Sequence, residues 1–319
     1  MKAIVQDRYG SPDVLRLREV EPPALGADDV LVRVRAASVN FRDWAVLRGR
    51  PRVLRLATGL RRPRDPLPGV DVAGEVEAVG PAVTGLRPGD AVFGRCAGGF
   101  AEYASTNQGR VAPKPANLSF EEAAAVPLAA TTALQGLRDH GRVGAGQLVL
   151  VIGASGGVGS FAVQIARAYG AHVTAACSRG SADLVRSLGA DEVVDYRRED
   201  LTRASRRYDV IFQLAGTASP LALRRALSPR GTLVLSSGRG RLAGIDRIVA
   251  ARLASAFVRQ RLIVFVEHES AADLLVLKEL LEAGTIRPVI DRMYPLAEAP
   301  AALRYLEAGH TRGKVVITV

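Results

Sequence analysis

Val151–Ala171 reads VIGASGGVGSFAVQIARAYGA, and the residues before it, Gln147–Leu150, extend its apolar start to QLVLVIG. A run that is apolar at every position is what a parallel strand buried on both faces requires. After it, Val158, Ala162, Ile165 and Ala166 recur at helical spacing, so a helix is expected near Val158–Tyr169. Between strand and helix lies Ala154-Ser155-Gly156-Gly157-Val158-Gly159. A helix N-terminus offers free N–H groups and a positive dipole end, so a pyrophosphate is stabilised there. Gly156 would let backbone approach phosphate, and Gly159 would let the helix pack on the strand. The first glycine of G-x-G-x-x-G is Ala154 here. It is the strand before and the helix after that separate this loop from glycine turns made only for packing.

The next strand, HVTAACSRG (His172–Gly180), decides which dinucleotide is expected. A site for NADH places Asp or Glu at its end to accept bonds from the ribose hydroxyls. Ser178 and Arg179 stand there instead. A hydroxyl and a guanidinium bind a 2′-phosphate directly, and no carboxylate repels it. NADPH is therefore the expected cofactor. Tyr196, ending the following strand, either flanks the same phosphate or is an exposed tyrosine at a strand end.

Strands and helices alternate outward from this point. EVVDY, DVIFQLAG and TLVLSSG read as further strands, with helices near Ser181–Leu188 and Pro220–Leu227. Such alternation calls for a parallel sheet covered on both faces, a doubly wound α/β domain. The first third differs. KAIVQ, VLRLREV, DVLVRVRAASV and DVAGEVEAVG are short β-prone runs broken by PP, GADD and PG turns. EEAAAVPLAATTALQGLRDH is helical with a break at Pro127, a last helix is expected near Ala271–Ala283, and the tail returns to strand-helix-strand. A β-rich domain of residues 1–122 and 285–319, interrupted by a doubly wound domain of residues 123–284, is the simplest architecture.

Composition excludes several classes. At 319 residues, 48% hydrophobic and 24% charged, the chain suits two globular domains. It has no apolar stretch of the length a spanning helix needs, and its start, MKAIVQDRYG, lacks the apolar core of a signal peptide. Two cysteines, Cys96 and Cys177, are too few for a disulfide framework. A cytoplasmic protein without a membrane partner is expected. The net charge of +11 comes almost wholly from arginine, since the lysines are only Lys2, Lys114, Lys278 and Lys314. With abundant alanine and glycine, this points to a GC-rich genome before a nucleic-acid partner. The densest basic stretch, RGRPRVLRLATGLRRPR (Arg48–Arg64), has no interleaved aromatic and reads as a solvated loop or an oligomer surface.

Several stretches carry a resemblance to a known family: VRVRAASVNFRDW (Val32–Trp44), PGVDVAGEVEAVG (Pro68–Gly80), GLRPGDAVFG (Gly85–Gly94), GGFAEYA (Gly98–Ala104), AAAVPLAATTALQGL (Ala123–Leu137), the glycine loop, LVRSLGADEVVDY (Leu184–Tyr196) and RGKVVITV. In this order they resemble the medium-chain dehydrogenase/reductase superfamily, in its zinc-free quinone oxidoreductase-like branch. The resemblance runs end to end. It implies a GroES-like catalytic domain, a Rossmann domain, a cofactor cleft where they meet, and a homodimer.

Residue roles carried over stay expectations. Asn40 faces the nicotinamide riboside or substrate, or is a turn residue after a strand. Arg42 and Asp43 orient substrate, or form a salt-bridged pair anchoring the loop. Thr131 meets the cofactor or packs its helix. Ser155, Gly156, Gly157, Val158 and Gly159 form the phosphate loop. Ala215-Gly216 and Ser236-Ser237-Gly238 line the cofactor crevice at the carboxyl edge of the sheet. Phe265-Val266 offers backbone to the carboxamide or belongs to a core strand, and Lys314 approaches the site or is a surface lysine. Zinc relatives of this superfamily place a cysteine near Asn40 and a His-Glu pair at Val70-Asp71, so no metal is expected. His140, His172, His268 and His310 are spread along the chain without ligand spacing. Hydride transfer from NADPH to a quinone or another α,β-unsaturated carbonyl is the expected chemistry. Its proton would come from Tyr103, Asp43 or water. The alternatives are a free-standing enoyl or enone reductase, an alcohol dehydrogenase-like enzyme, and, from another class, an NADPH-binding sensor or RNA-binding module without turnover.

Overall fold

The computed structural model describes residues 1–202, 206–236 and 259–319. They form two compact units, residues 1–131 with 269–319, and residues 132–268. The expected boundaries lay at 122/123 and 284/285. The helix Ala271–Glu282 goes with the first unit because its C-terminal end is tied to the loop after Val111–Pro113. Asn117 Nδ2 donates to the Leu281 carbonyl at 2.9 Å, and the Ala116 N–H to Glu282 Oε1 at 2.9 Å.

The first unit is built on a seven-stranded sheet. Its order is Ile290–Pro295, Lys314–Thr318, Asp29–Val39, Asp71–Val79, Ala91–Arg95 and Val111–Pro113, with Tyr103–Asn107 also pairing Asp29–Val39. The C-terminal strand rejoins the first third as expected. Val315 pairs Val39 and Thr318 pairs Ala36, antiparallel. Asp29–Val39 is half-buried by alternation at its start and fully buried at its end. That buried end packs with Ile4, Leu47, Val72, Phe100, Leu303 and Val315. The strand therefore delivers Ser38, Val39 and Asn40 into the interior.

The second unit holds a six-stranded parallel sheet in the order Glu192–Asp195, His172–Cys177, Leu148–Ile152, Tyr208–Gln213, Leu227–Leu235 and Arg261–Val264. The strand order turns back on itself beside Leu148–Ile152, which makes the carboxyl end of that strand a topological switch point. Val149, Leu150 and Val151 are fully buried, as the continuous apolar run requires. The helix that follows is Gly157–Ala168, with Gly156 at its N-cap. Pro127 separates Phe120–Ala124 from Pro127–Gln135. The expected helix near Ser181–Leu188 is Ala182–Ser187, and the one near Pro220–Leu227 is one α-helical turn, Pro220–Leu223, that tightens into a 3₁₀ turn.

Two glycines of the loop do different work. A Cβ on Gly159 would run into the Gly153 carbonyl oxygen and come within 2.7 Å of Ala154 Cα, both backbone atoms that cannot yield. A Cβ on Gly156 would meet only the Gly153 oxygen at 3.5 Å, and the backbone there (φ −81°, ψ 178°) suits any residue. Gly159→Ala is expected to cost about 2–3 kcal/mol by forcing the helix off the strand. Gly156→Ala should leave the thermal midpoint unchanged. Melting both variants checks this.

Candidate active site

In the second unit the expected cofactor residues gather at one place. Gly153, Ser178, Tyr196, Leu214, Ser236 and Phe265 each directly follow the last residue of a parallel strand. They occupy the carboxyl edge of the sheet, at and around the switch point. The edge is closed at the centre by Leu214 N–H donating to the Ile152 carbonyl at 3.0 Å, and by Gly153 and Ala154 N–H groups bonding the Ala176 carbonyl. Gly153 sits at φ +88°, with Ala215 Cβ only 2.7 Å from where its own Cβ would be. Ala215 and Gly216 therefore lie against the glycine loop. Ser155, Gly157 and Val158 flank the helix start and are all half-buried. Ser237 and Gly238 lie outside the described residues.

The register Cys177↔Asp195 sets Ser178 beside Tyr196 at the end of the two neighbouring strands. Arg179 is exposed, and no acidic partner engages its guanidinium among the described residues. Tyr196 is exposed too, with the Arg197 guanidinium 5.8 Å from its ring centre. A cationic edge with an aromatic wall follows from these positions. Arg197 escaped sequence reading because only the strand register brings it near Ser178. Asp195 turns away into its own turn, accepting the Arg197 N–H at 3.0 Å.

Phe265 packs inward, its ring 4.5 Å from His140 and 6.3 Å from Phe212, while Val266 points almost wholly into solvent. Of the scattered histidines, His268 is exposed and beside Gln135, and His140 is half-buried against Phe265. Gln135 exchanges two bonds with the His268 backbone, and burial pushes the His140 pKa down. Gln213 is buried and donates to the Ala218 carbonyl at 3.2 Å.

The first unit holds a buried polar cluster at the end of Asp29–Val39. Asp71, fully buried, accepts at Oδ2 from Ser38 Oγ (3.0 Å) and Asn40 Nδ2 (2.9 Å), and at Oδ1 from the Leu128 N–H (3.2 Å). Lys314 Nζ lies 3.7 Å from Asp71 Oδ2, and Arg95 Nε lies 3.4 Å from Oδ1. Lys314 donates to Asn40 Oδ1 at 2.5 Å. Beyond Arg95, Glu269 pairs with Arg95 (3.5 Å), Arg110 (2.8 Å) and Arg42 (3.8 Å). Buried charges persist only when paired and hydrogen-bonded like this.

The structure places five residues singled out in the sequence. Lys314 is no surface lysine: it is buried, and desolvation pulls its pKa down against the pull of Asp71 and Asp43. Asn40 faces an ammonium with its carbonyl and two acceptors, the Ser38 carbonyl and Asp71, with its amide. That pattern fixes its orientation and uses both of its N–H donors internally. Asp43 does not pair with Arg42. It accepts the Asn40 backbone N–H at 2.7 Å and so closes the start of the helix Phe41–Arg48. Tyr103 pairs with Arg33 across the sheet, about 20 Å along the strand from Val39 at its normal rise. Thr131 is buried in Pro127–Gln135, one turn beyond the Leu128 N–H that Asp71 holds. Asp71 and Arg95 themselves were missed by sequence reading. The signal was an aspartate opening the buried run Asp71–Gly74 of the strand Asp71–Val79.

Burial raises the Asp43 carboxyl to about 6, the backbone bond from Asn40 opposing the shift and the Asp71 charge adding to it. Asp43 thus stabilises the fold most when protonated, below the unfolded value of 3.8, and this contribution is lost as pH rises through about 6. Asp43→Asn keeps an acceptor for Asn40 and removes the charge. It should exceed the parent in stability by about 1–3 kcal/mol above pH 7, with the difference closing toward pH 4. Urea unfolding at the two pH values tests this.

Metal donors are poorly provided here. Asn40 and Asp71 are committed to an ammonium, a guanidinium and N–H groups, and Val70 offers nothing. Cys96 is buried beside Asp71 with its thiol pKa pushed up, by burial first. Among the described residues no three His, Cys, Asp or Glu side chains are grouped to hold an ion.

Two family models match the chain. Residues 26–116 match the alcohol dehydrogenase GroES-like domain, and residues 188–317 the family described as zinc-binding dehydrogenase. A 2-methylene-furan-3-one reductase of Solanum lycopersicum is 36% identical over 332 residues, covering 99% of this chain and 79% of the relative. An NADPH-dependent alkenal/one oxidoreductase of Arabidopsis thaliana, named as chloroplastic, is 34% identical over 99% of this chain and 79% of its own. The solved quinone oxidoreductase of Coxiella burnetii is 29% identical, with a TM-score of 0.88 covering 100% of this chain and 99% of that one.

Proposed function

Since the chain belongs to the quinone oxidoreductase-like branch of the medium-chain dehydrogenase/reductase superfamily, we propose that it is an NADPH-dependent, zinc-independent reductase of quinones and conjugated enones. It is an oxidoreductase that uses a nicotinamide cofactor, as its relatives do. The observation that carries the reading is Gly156. Nothing in the protein needs a glycine there, since its Cβ would fit and its backbone is ordinary. A ligand's close approach at the helix N-terminus explains it.

The preference for NADPH rests on Ser178, Arg179 and Tyr196 at the end of the second and third strands from the switch point. Zinc independence rests on the cations Lys314 and Arg95 beside Asp71, because a divalent ion there would face two positive charges. When bound, the dihydronicotinamide supplies the hydride. The loop Gly156–Gly159 would hold the pyrophosphate, and Ser178 and Arg179 the adenosine phosphate. It keeps Asn40 fixed through Lys314, Asp71 and Ser38. The substrate gains a hydride at its β-carbon, or at a quinone oxygen, and a proton completes the product. With Asp43 tied to Asn40 and Tyr103 remote from it along the sheet, water is the proton source we assign.

A cytoplasmic homodimer belongs to the same proposal. Arg261–Val264 supports the dimer, as one of the two outer strands of its sheet, with no second pairing neighbour among the described residues. No described helix is long and apolar enough to cross a membrane.

Following NADPH oxidation by absorbance against a panel of quinones, enones and saturated aldehydes tests the proposal. Acceptor-dependent oxidation of the first two classes, undiminished by a chelator, is expected. Gly156→Ala should raise the NADPH dissociation constant about tenfold while melting normally. Absence of turnover despite NADPH binding, or loss of activity to the chelator, would refute it.

A further inference from the structure

Arg48–Arg64 stands out in the sequence by charge, and in the structure by an inverted helix. In Leu54–Thr58 the outward face is apolar: Val53, Leu56 and Ala57, spaced i, i+3, i+4, are exposed, Val53 by 49% and Leu56 by 65%. The inward, half-buried side holds Leu54 together with two polar residues, Arg55 and Thr58. Arg55 lies over the Tyr9 ring at 4.4 Å and donates to the Gly49 carbonyl at 3.1 Å, while Thr58 Oγ1 is 2.9 Å from the Tyr9 hydroxyl. Leu60, just past the helix, is 69% exposed. A helix on a soluble domain normally turns its apolar side to the core.

The same segment carries Arg50, Arg52, Arg61, Arg62 and Arg64, all exposed; the Arg50 charge is felt by Glu307, and no salt bridge engages the other four among the described residues. No Asp or Glu occurs between Asp43 and Asp65. The turn is held in shape. Tyr9 donates to the Gly59 carbonyl at 2.5 Å, and the Arg64 N–H bonds the Thr58 carbonyl at 2.7 Å.

We propose that this segment docks the protein on an anionic phospholipid surface. Aliphatic side chains that enter the acyl boundary, ringed by guanidiniums that take lipid phosphates, are what interfacial attachment needs. That no described helix could span a bilayer concerns crossing and not surface attachment. A nucleic acid would engage the arginines but leave Val53, Leu56 and Leu60 without a role, and the segment has no aromatic on which a base could stack. A second copy would set the same five guanidiniums against themselves with no carboxylate to meet them.

Sedimentation with vesicles of phosphatidylcholine containing phosphatidylglycerol, against phosphatidylcholine alone, tests the proposal. The parent protein should bind only the anionic vesicles, less at high salt. Leu56→Ser with Leu60→Ser should lose about tenfold or more of that binding at unchanged charge, and so should Arg61→Ala with Arg62→Ala and Arg64→Ala. Thermal melting shows that both variants fold. No binding to anionic vesicles overturns the proposal, and so does binding that the leucine variant retains. Self-association, or binding of a single-stranded RNA, that accounts for the arginines without the leucines does the same.

Discussion

Lys314→Met should cost about 3–5 kcal/mol of stability, the penalty for stripping one partner from a buried ion pair. The ammonium is the single group that meets both Asn40 Oδ1 and Asp71 Oδ2. Without it, the Asn40 carbonyl is left buried with no donor. Asp71 keeps Arg95, Ser38, Asn40 and the Leu128 N–H but loses half of its charge compensation. Such a loss is a large part of what a domain has to spare. Removing the negative partner as well changes the outcome, because a neutral Met–Asn pair has no charge to desolvate and the buried Arg95 guanidinium keeps Glu269. The double variant Lys314→Met with Asp71→Asn should therefore be more stable than Lys314→Met alone, although each single change destabilises. Urea unfolding of the three variants measures the coupling. Effects that simply add would mean that the two charges do not compensate each other. Turnover provides the functional readout. If Lys314 positions Asn40, a Lys314→Met enzyme kept folded at low temperature should lose kcat with little change in the KM for NADPH, since that cofactor is assigned to the other unit.

The course of the two units shows what a sequence can disclose. The parallel strands were legible because burial on both faces leaves them continuously apolar, as in Leu148–Ile152 and Tyr208–Gln213. The glycine loop was legible because its neighbours on both sides are regular. Lys314 was not, since a lone lysine before a strand reads as surface, and its partner Asn40 stands 274 residues away. Asn40 was singled out by its place after a strand, and its side chain bonds internally to Lys314, Ser38 and Asp71. The boundary helix Ala271–Glu282 follows the doubly wound elements in order, so chain order alone assigned it to them. Its bonds to Ala116 and Asn117 assign it to the other unit. The inverted face of Leu54–Thr58 was invisible for a different reason: five residues are too few for a period to emerge. Charge marked the segment, and only exposure showed that its apolar side faces out.

Cofactor choice should reverse when the edge beside Tyr196 changes sign. Arg179 is exposed and uncommitted, at the end of a strand whose register puts Ser178 next to Tyr196. A guanidinium–phosphate contact is charge-assisted and two-pronged, so Arg179→Ala should weaken NADPH by about 10–100-fold and leave NADH nearly untouched. Ser178→Asp acts differently: its carboxylate repels the 2′-phosphate and accepts bonds from the ribose hydroxyls that NADH offers there. The two changes together should shift the ratio of kcat/KM for NADPH over NADH by about a thousandfold, from preference for the first to preference for the second. Arg197, whose guanidinium lies 5.8 Å from the Tyr196 ring centre, is a secondary contributor. Arg197→Ala should lower NADPH affinity by about threefold, within the range of an exposed charge. Raising salt should narrow the parent's preference for NADPH, which relies on an exposed cation meeting a phosphate, and should also weaken the part of the double variant's preference that comes from carboxylate–phosphate repulsion. Steady-state kinetics with both cofactors and one fixed quinone decide the matter. A parent enzyme that uses both equally, or an Arg179→Ala variant with unaltered NADPH affinity, would remove Ser178 and Arg179 from the phosphate site.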